Sequence, residues 1–158
     1  MSILEIFNKP IDPTEKLLRE LGCEFERRPD GMFIVTGDID LFKKGLTSLP
    51  DLSAVIVKGT FYCSGNQFTN LTGAPHSVEK DFVCKGSKLT SLAGAPRTVG
   101  GSFYCYLNHL TDLIGAPDSV GKDFSCHSNR LTSLAGAPAS VGMTFFSYGN
   151  PLTSLEGK

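Results

Sequence analysis

Apolar positions recur along residues 35 to 158 with a period of 21 residues. One column of this repeat is aromatic, and a second column follows it two residues later. The aromatic column is Phe61, Phe82, Phe103, Phe124 and Phe145, and the second is Cys63, Cys84, Cys105, Cys126 and Ser147. Because side chains alternate between the two faces of an extended segment, both columns face the same side of a short strand. A repeat of this length predicts a solenoid whose stacked units share one core.

Four further columns keep the same spacing. Valine lies four residues before each phenylalanine, Asn or Ser lies five residues after it, and two apolar positions follow. The columns are Val57, Val78, Val99, Val120 and Val141; Asn66, Ser87, Asn108, Asn129 and Asn150; Phe68, Leu89, Leu110, Leu131 and Leu152; and Leu71, Leu92, Leu113, Leu134 and Leu155. A degenerate copy with Val35, Ile39 and Leu41 precedes them at a 22-residue step, which makes six predicted rungs. We expect one parallel sheet with the Val, Phe, Cys and Leu columns on its inner side.

Polar positions and a Gly-Ala-Pro tripeptide predict the turns of the repeat. The tripeptide begins at Gly73, Gly94, Gly115 and Gly136. Glycine permits unusual backbone angles there, and proline fixes φ where no amide donor is needed. The Asn side chains are expected to hydrogen-bond the backbone of their own and the adjacent rung, because a buried turn rarely leaves such groups unpaired. Ser87 supplies only part of this network and Lys44 supplies none, so we expect those two rungs to be looser.

The unit Phe-x-Cys-x-x-Asn-x-Leu-x-x-Leu resembles the leucine-rich repeat, with Phe and Cys in place of two leucines. The segment Leu46-Thr-Ser-Leu-Pro-Asp-Leu52 is similar to a segment of secreted bacterial effectors, and repeats that end in Gly-Ala-Pro are similar to those of small bacterial and bacteriophage proteins. The resemblance covers residues 35 to 158. It implies a β-rich α+β solenoid that is a right-handed coil with a parallel concave sheet.

Residues 1–34 do not repeat, and they predict a cap that packs on the solenoid (35–158) within one structural domain. Asp12 is placed to cap a helix that begins with Pro13, Glu15 is placed to complete a capping box, and Gly22 is placed to end the helix. The tripeptide at 29–31, Pro-Asp-Gly, is a hairpin turn signal between two short extended segments. The cap is therefore predicted to be a helix followed by a β-hairpin.

The cysteine column could carry redox or metal chemistry, or it could only pack. Neighbours in such a column lie ~5 Å apart, which suits a disulfide in distance but demands an awkward dihedral angle. A metal site needs convergent ligands, and a straight column does not converge. Cysteine also packs well as a small buried hydrophobe. We therefore predict reduced structural thiols with no metal and no cofactor, and keep disulfides and a thiolate metal site as the alternatives.

Composition narrows the classes of function. The formal net charge is -1, charged residues make up 20%, no apolar run is long enough to cross a membrane, and no secretory signal is visible. These features predict a cytoplasmic protein without a membrane partner, in the host-cell cytoplasm if a bacteriophage encodes it. Lysine and arginine are scattered, which argues against nucleic-acid binding. The three histidines are expected on different faces, and no phosphate loop or dinucleotide fingerprint occurs, so we expect no enzymatic activity.

Residues that flank Phe and Cys on each strand are expected to face outward, and their chemistry changes from rung to rung. All four tyrosines of the protein fall in these positions. Exposed aromatic clusters are typical of protein-binding hot spots. The predicted partner-binding residues are Tyr62, Asp81, Lys85, Tyr104, Tyr106, Asp123, His127, Phe146 and Tyr148. Two alternatives are that these rings only stabilise the sheet, or that they stack on sugars or bases.

The expected function is that of a non-enzymatic protein-binding module. The bacteriophage resemblance implies an inhibitor of the counter-defence type that occludes a host protein. The alternative is a structural or self-assembling protein. Because the sequence stops within a repeat, its last strand would present an edge for strand addition, and we predict a homodimer through Phe146 and Pro151. A short rung and Pro151 could also protect that edge.

Overall fold

The computed structural model describes residues 10–154, which form a parallel β-solenoid of about five turns with one short helix. Leu155, the last member of the predicted apolar columns, lies outside the described residues. The helix, α1, spans Pro13–Glu20. Strands β1 to β13 follow in chain order: Phe25–Arg27, Phe33–Val35, Ile39–Asp40, Val55–Val57, Phe61–Tyr62, Ser77–Val78, Phe82–Val83, Thr98–Val99, Phe103–Tyr104, Ser119–Val120, Phe124–Ser125, Ser140–Val141 and Phe145–Phe146.

Each turn of the solenoid contributes two short strands, and these belong to two different sheets. The first sheet has the strand order β1-β2-β4-β6-β8-β10-β12 and contains the valine column. The second sheet has the order β13-β11-β9-β7-β5-β3 and contains the phenylalanine column. One turn of the solenoid runs from each strand of this sheet to the next, so its six strands enclose about five turns. Neighbouring strands are parallel and in register, apart from the antiparallel hairpin of β1 and β2.

The single sheet expected from the sequence is therefore wrong, although its valine and phenylalanine columns do face the core. The chain bends between the two strands of each turn, at the residues that follow the valine. Turns lie very close together here: a Cβ atom on Gly100 or Gly121 would lie 2.3 or 2.0 Å from a carbonyl oxygen of the preceding turn. Glycine makes this contact possible because it has no side chain.

The inward columns form one continuous core. The rings of Phe61, Phe82, Phe103, Phe124 and Phe145 stack along the solenoid with centroids 5.0 to 5.5 Å apart. The first four rings have no exposed surface. Burial of such a side chain contributes about 1.5–3 kcal/mol to stability. A rung alone could not bury this surface, so stability depends on stacking.

The cysteine column lies next to these rings and is also buried. All five cysteines are free thiols. The Sγ atom of Cys84 lies 3.4 Å from the carbonyl oxygen of Tyr104 in the next turn, and Cys105 and Cys126 make equivalent contacts. Burial raises the pKa of Cys126 to about 12 and that of Cys63 further. These thiols are therefore protonated at neutral pH and act as packing groups with weak donors.

The asparagine column forms the predicted ladder of hydrogen bonds between turns. The amide nitrogen of Asn129 donates to the carbonyl oxygens of Cys105 at 3.1 Å and Cys126 at 3.0 Å, and its Oδ1 accepts from the Leu110 N–H at 3.1 Å. Asn66, Asn108 and Asn150 repeat this arrangement. Each side chain thus joins its own turn to the preceding one, as expected for buried backbone groups that must be paired.

The rung that carries Ser87 departs from its neighbours. The Ser87 hydroxyl donates to the Cys63 carbonyl at 3.3 Å, and it accepts from the Asn66 N–H at a long 3.4 Å. The following residue, Lys88, has a φ of +71°, in the left-handed region that non-glycine residues seldom adopt. A shorter side chain therefore gives a weaker ladder and a changed turn at this rung.

The Gly-Ala-Pro turns are as predicted. The four glycines have φ between +82° and +94°, and each lies against the backbone of the preceding turn. A Cβ atom on Gly94, for example, would lie 2.5 Å from the carbonyl carbon of Leu71. Glycine is thus required by both conformation and space.

The N-terminal segment contains the predicted helix and hairpin. The Asp12 carboxylate accepts from the Thr14 N–H at 2.9 Å, and Gly22, with φ of +69°, ends the helix in a Schellman arrangement. The predicted capping box is wrong, because the Glu15 carboxylate pairs with the Arg19 and Arg27 side chains instead. Strand β2 pairs with both β1 and β4, so the hairpin extends the first sheet, and residues 34 and 35 both lie within β2.

Candidate functional site

The outer face of the second sheet carries two columns of side chains that vary from turn to turn. The central column lies between the phenylalanine and cysteine positions, and the ring column directly follows the cysteines. The central column is Asp40, Tyr62, Val83, Tyr104, Ser125 and Phe146; the ring column is Phe42, Ser64, Lys85, Tyr106, His127 and Tyr148. In-register parallel pairing places successive members of the central column on adjacent strands, and the ring column follows two residues later in each turn.

Four members of the ring column form one continuous stack. The Lys85 Nζ atom lies 5.3 Å from the ring centroid of Tyr106. The rings of Tyr106 and His127 are stacked with centroids 4.3 Å apart, and those of His127 and Tyr148 with centroids 4.5 Å apart. The Tyr104 ring meets Tyr106 edge to face at 6.3 Å. The structure thus brings five of the predicted residues into a single cluster, named here the aromatic cluster.

The stack also contributes to the sheet itself. Aromatic pairs of this geometry stabilise a protein by about 0.5–1.5 kcal/mol beyond their burial. Burial lowers the pKa of His127, so the imidazole between the two tyrosine rings is neutral at neutral pH. Its Nδ1 lies 3.1 Å from the Ser128 hydroxyl. The cluster is therefore a preorganised surface with one cationic end, at Lys85.

Two further predicted residues lie on the same face outside this cluster. Tyr62 and Phe146, of the central column, are 38% and 37% exposed. Ser125 lies between Tyr104 and Phe146 in the register and is buried. The central column therefore presents the rings of Tyr104 and Phe146 on either side of the buried Ser125.

The predicted binding residues Asp81 and Asp123 lie at the starts of strands, where they form part of the turns. The Oδ1 atom of Asp81 accepts from the Ser102 N–H of the next turn at 2.7 Å, and that of Asp123 accepts from the Thr144 N–H at 3.0 Å. Four positions that the alternation of side chains placed on the outside are in fact buried. They are Thr60, Ser64, Ser102 and Ser125.

Leu107 belongs to this surface and is not among the sequence-predicted site residues. Leu107 is 60% exposed and has a φ of +57°, at the repeat position where Gly65, Gly86 and Gly149 occur. A left-handed conformation costs a non-glycine residue about 1–2 kcal/mol. An apolar residue at a repeat position where other turns have glycine was a signal in the sequence that Leu107 belongs to the site. Phe42 is 46% exposed, with the Lys43 Nζ 5.1 Å from its ring centroid.

The last turn differs from those before it in its exposure. Val141, Phe145 and Leu152 are only partly buried, whereas their counterparts in the preceding turn are buried. Met143 is 66% exposed. Within residues 10–154, strands β12 and β13 end the two sheets. Pro151 and Phe146, the predicted self-association residues, lie in this last turn and are exposed.

No group of three or more His, Cys, Asp or Glu side chains within residues 10–154 is placed to hold a metal ion. The helix in this part of the chain does not have the length or apolar character needed to cross a bilayer. Comparison of the chain with protein-family models, curated proteins and solved structures finds no match.

Proposed function

We propose that this chain is a non-enzymatic protein-binding module that acts in the cytoplasm and engages another protein with the outer face of its second sheet. The observation that carries the proposal is the aromatic cluster of Lys85, Tyr104, Tyr106, His127 and Tyr148. Tyrosine-rich, rigid surfaces are characteristic of binding hot spots, because large rings are ordered at little entropic cost. The adjoining Leu107 extends the apolar part of this surface.

The orientation of the rings favours a protein partner over sugars or bases. Sugars and bases stack on open ring faces. In the ring column, both faces of Tyr106 and His127 are occupied by their neighbours in the stack. The cluster therefore offers mainly ring edges and polar tips, which suit the mixed apolar and hydrogen-bonding contacts of a protein interface.

We also propose a class for this protein. The repeat resembles the leucine-rich repeats of bacterial effectors and of bacteriophage proteins, and on that basis we assign the chain to short leucine-rich-repeat proteins. An inhibitor of the counter-defence type would need only a folded solenoid that presents one binding face to its target. Its mode of action would be occlusion of the working surface of a host protein.

A capture experiment tests the binding function. The double variant Tyr104→Ala/Tyr106→Ala should lose a partner that the wild-type protein retains from host lysate, because it removes the centre of the aromatic cluster. The control is Ile114→Ala, which removes an exposed apolar side chain (64% exposed) outside both columns. Equal capture by the folded double variant and the wild type would contradict the proposal.

Self-association is the second candidate function, and the exposure of the last turn favours it. Partly buried Val141, Phe145 and Leu152 together with exposed Met143 and Phe146 would be covered by a second copy. Light scattering should then report a dimer for the wild type and a monomer for Phe146→Asp. A monomeric wild type at micromolar concentration would contradict this candidate and leave the binding function standing.

A further inference from the structure

The ring column is interrupted at one position. Ser64 lies between Phe42 and Lys85 in this column, and it is the only one of the six members with so short a side chain. Its hydroxyl donates to the Val83 carbonyl at 3.1 Å and so points into the backbone. The rings of the aromatic cluster therefore do not continue to Phe42, and a gap remains between the Phe42 and Lys85 side chains, with the buried Ser64 at its base.

A cavity of about 320 Å³ occupies this gap, and its wall is mainly apolar. It is lined by Asp40, Phe42, Tyr62, Ser64, Val83 and Lys85. Pockets of about 300 Å³ are at the lower end of the range for small ligands, which suits one large side chain better than a whole molecule. We call this cavity the Ser64 notch.

We propose that the Ser64 notch is the anchor site for one aromatic side chain of the protein partner, a tyrosine or a tryptophan. The inference rests on the proposed binding function and specifies the chemistry that the partner must bring. The inserted ring would take the place that Tyr106, His127 and Tyr148 fill in the later turns, and would complete the ring column.

The spacing of the strands suits a planar group. Adjacent strands lie ~4.8 Å apart, so Phe42 and Lys85, which lie two strands apart, are separated by roughly 10 Å at the backbone. A ring halfway between them would be near the distances of 4.3 and 4.5 Å at which rings of this column already stack. A branched aliphatic side chain is thicker than a planar ring and has no π-face that could stack in this column.

The charges around the notch select a ring with a polar tip. The Lys85 ammonium already lies against the face of Tyr106, and a second ring on its other side would gain the same cation–π attraction. Asp40, on the opposite wall, accepts the Phe42 N–H at 2.8 Å with Oδ1, and a carboxylate can accept several bonds. Its remaining capacity suits the O–H of tyrosine or the N–H of tryptophan.

Small probes test the notch without knowledge of the partner. The ¹⁵N-labelled full chain is titrated with N-acetyl-tyrosinamide, N-acetyl-tryptophanamide and N-acetyl-leucinamide, and amide shifts are followed by NMR. We expect saturable shifts at Tyr62, Ser64 and Val83 with the two aromatic probes, and weaker binding of the leucine probe. Phe42→Ala should abolish saturation. Lys85→Met should weaken binding about threefold, whereas the control Lys122→Met should not change it.

The sharpest comparison with the wild type is a variant whose own side chain fills the Ser64 notch. Ser64→Tyr introduces the residue found at the same column position in Tyr106 and Tyr148, and its ring should occupy the cavity and prevent binding of the aromatic probes. Retained binding in folded Ser64→Tyr would overturn the proposal. So would the absence of saturable shifts in the wild type, equal binding of the leucine probe, or tighter binding of methyl β-glucoside or adenosine monophosphate.

The outcome is separable from that of the binding function. If the probes do not bind but Tyr104→Ala/Tyr106→Ala still loses its partner, only the notch fails. If the probes bind and the double variant retains its partner, the aromatic cluster fails as the interface while the notch remains a site for aromatic groups.

Discussion

The imidazole of His127 lies parallel to the ring of Tyr148, with 4.5 Å between the centroids and 6° between the planes. On its other side, His127 stacks on Tyr106. This arrangement turns the ring faces along the solenoid and the ring edges towards solvent. A partner that approaches this surface therefore meets a row of edges held in place by their neighbours, which lowers the entropy lost on binding.

The stack should respond to pH through His127. Burial lowers the pKa of this side chain in the folded state, so the unfolded state binds the proton more readily. The contribution of His127 to stability is thus fully present above the unfolded pKa of about 6.5 and declines as the pH falls through the lower folded pKa. NMR titration of the His127 ring should give a pKa below about 6.5, and Tyr148→Ala should move it upward by relieving burial. An unchanged pKa in that variant would contradict this account.

The asparagine ladder should be a main determinant of stability. Asn129→Ser removes an amide that bonds four backbone groups of two turns, and it should lower the free energy of unfolding by about 1–3 kcal/mol. The reverse change, Ser87→Asn, is the matched comparison and should raise it, by up to about 1 kcal/mol, by completing the ladder. Urea unfolding measures both. Opposite signs support the ladder, and two neutral changes would disprove its role.

The repeats and most of the core could be predicted from the sequence because each depends on local pattern. The columns of Phe103 and Cys105 follow from the period of 21, and the Asn108 ladder follows from the need to pair buried backbone groups. The helix of the cap followed from Asp12 and Gly22. These features repeat or have strong local signals, so tertiary context did not change them.

The two-sheet arrangement and the exact surface could not be predicted in the same way. The bend after each valine depends on contacts between turns, such as that of Gly121 with the preceding backbone. Alternation placed Ser125 outside, but it is buried between its register partners Tyr104 and Phe146. A prediction that Tyr106 stacks on His127 would have required the register of the strands as well as the identity of the two residues.

Glycine at the bend should be required only where the turns touch. A Cβ atom on Gly101 would lie 2.3 Å from Oδ1 of Asp81, the atom that accepts the Ser102 N–H. Gly101→Ala should therefore cost about 1–3 kcal/mol through overpacking. The control Gly37→Ala has no atom within 4 Å of the new Cβ and should change stability by less than about 0.5 kcal/mol. Thermal unfolding of the two variants makes the comparison, and an equal loss in both would contradict it.

Site-specific photo-crosslinking tests the central claim most directly, because it reports which surface touches the partner. In one variant p-benzoylphenylalanine replaces Tyr106, in a second variant it replaces Ile114, and both variants are irradiated in cell lysate. We predict that the variant with the crosslinker at position 106 forms an adduct with a single partner protein. The variant with the crosslinker at position 114 should not form that adduct. An equal adduct at both positions, or an adduct at position 114 alone, would contradict the assignment of binding to the outer face of the second sheet.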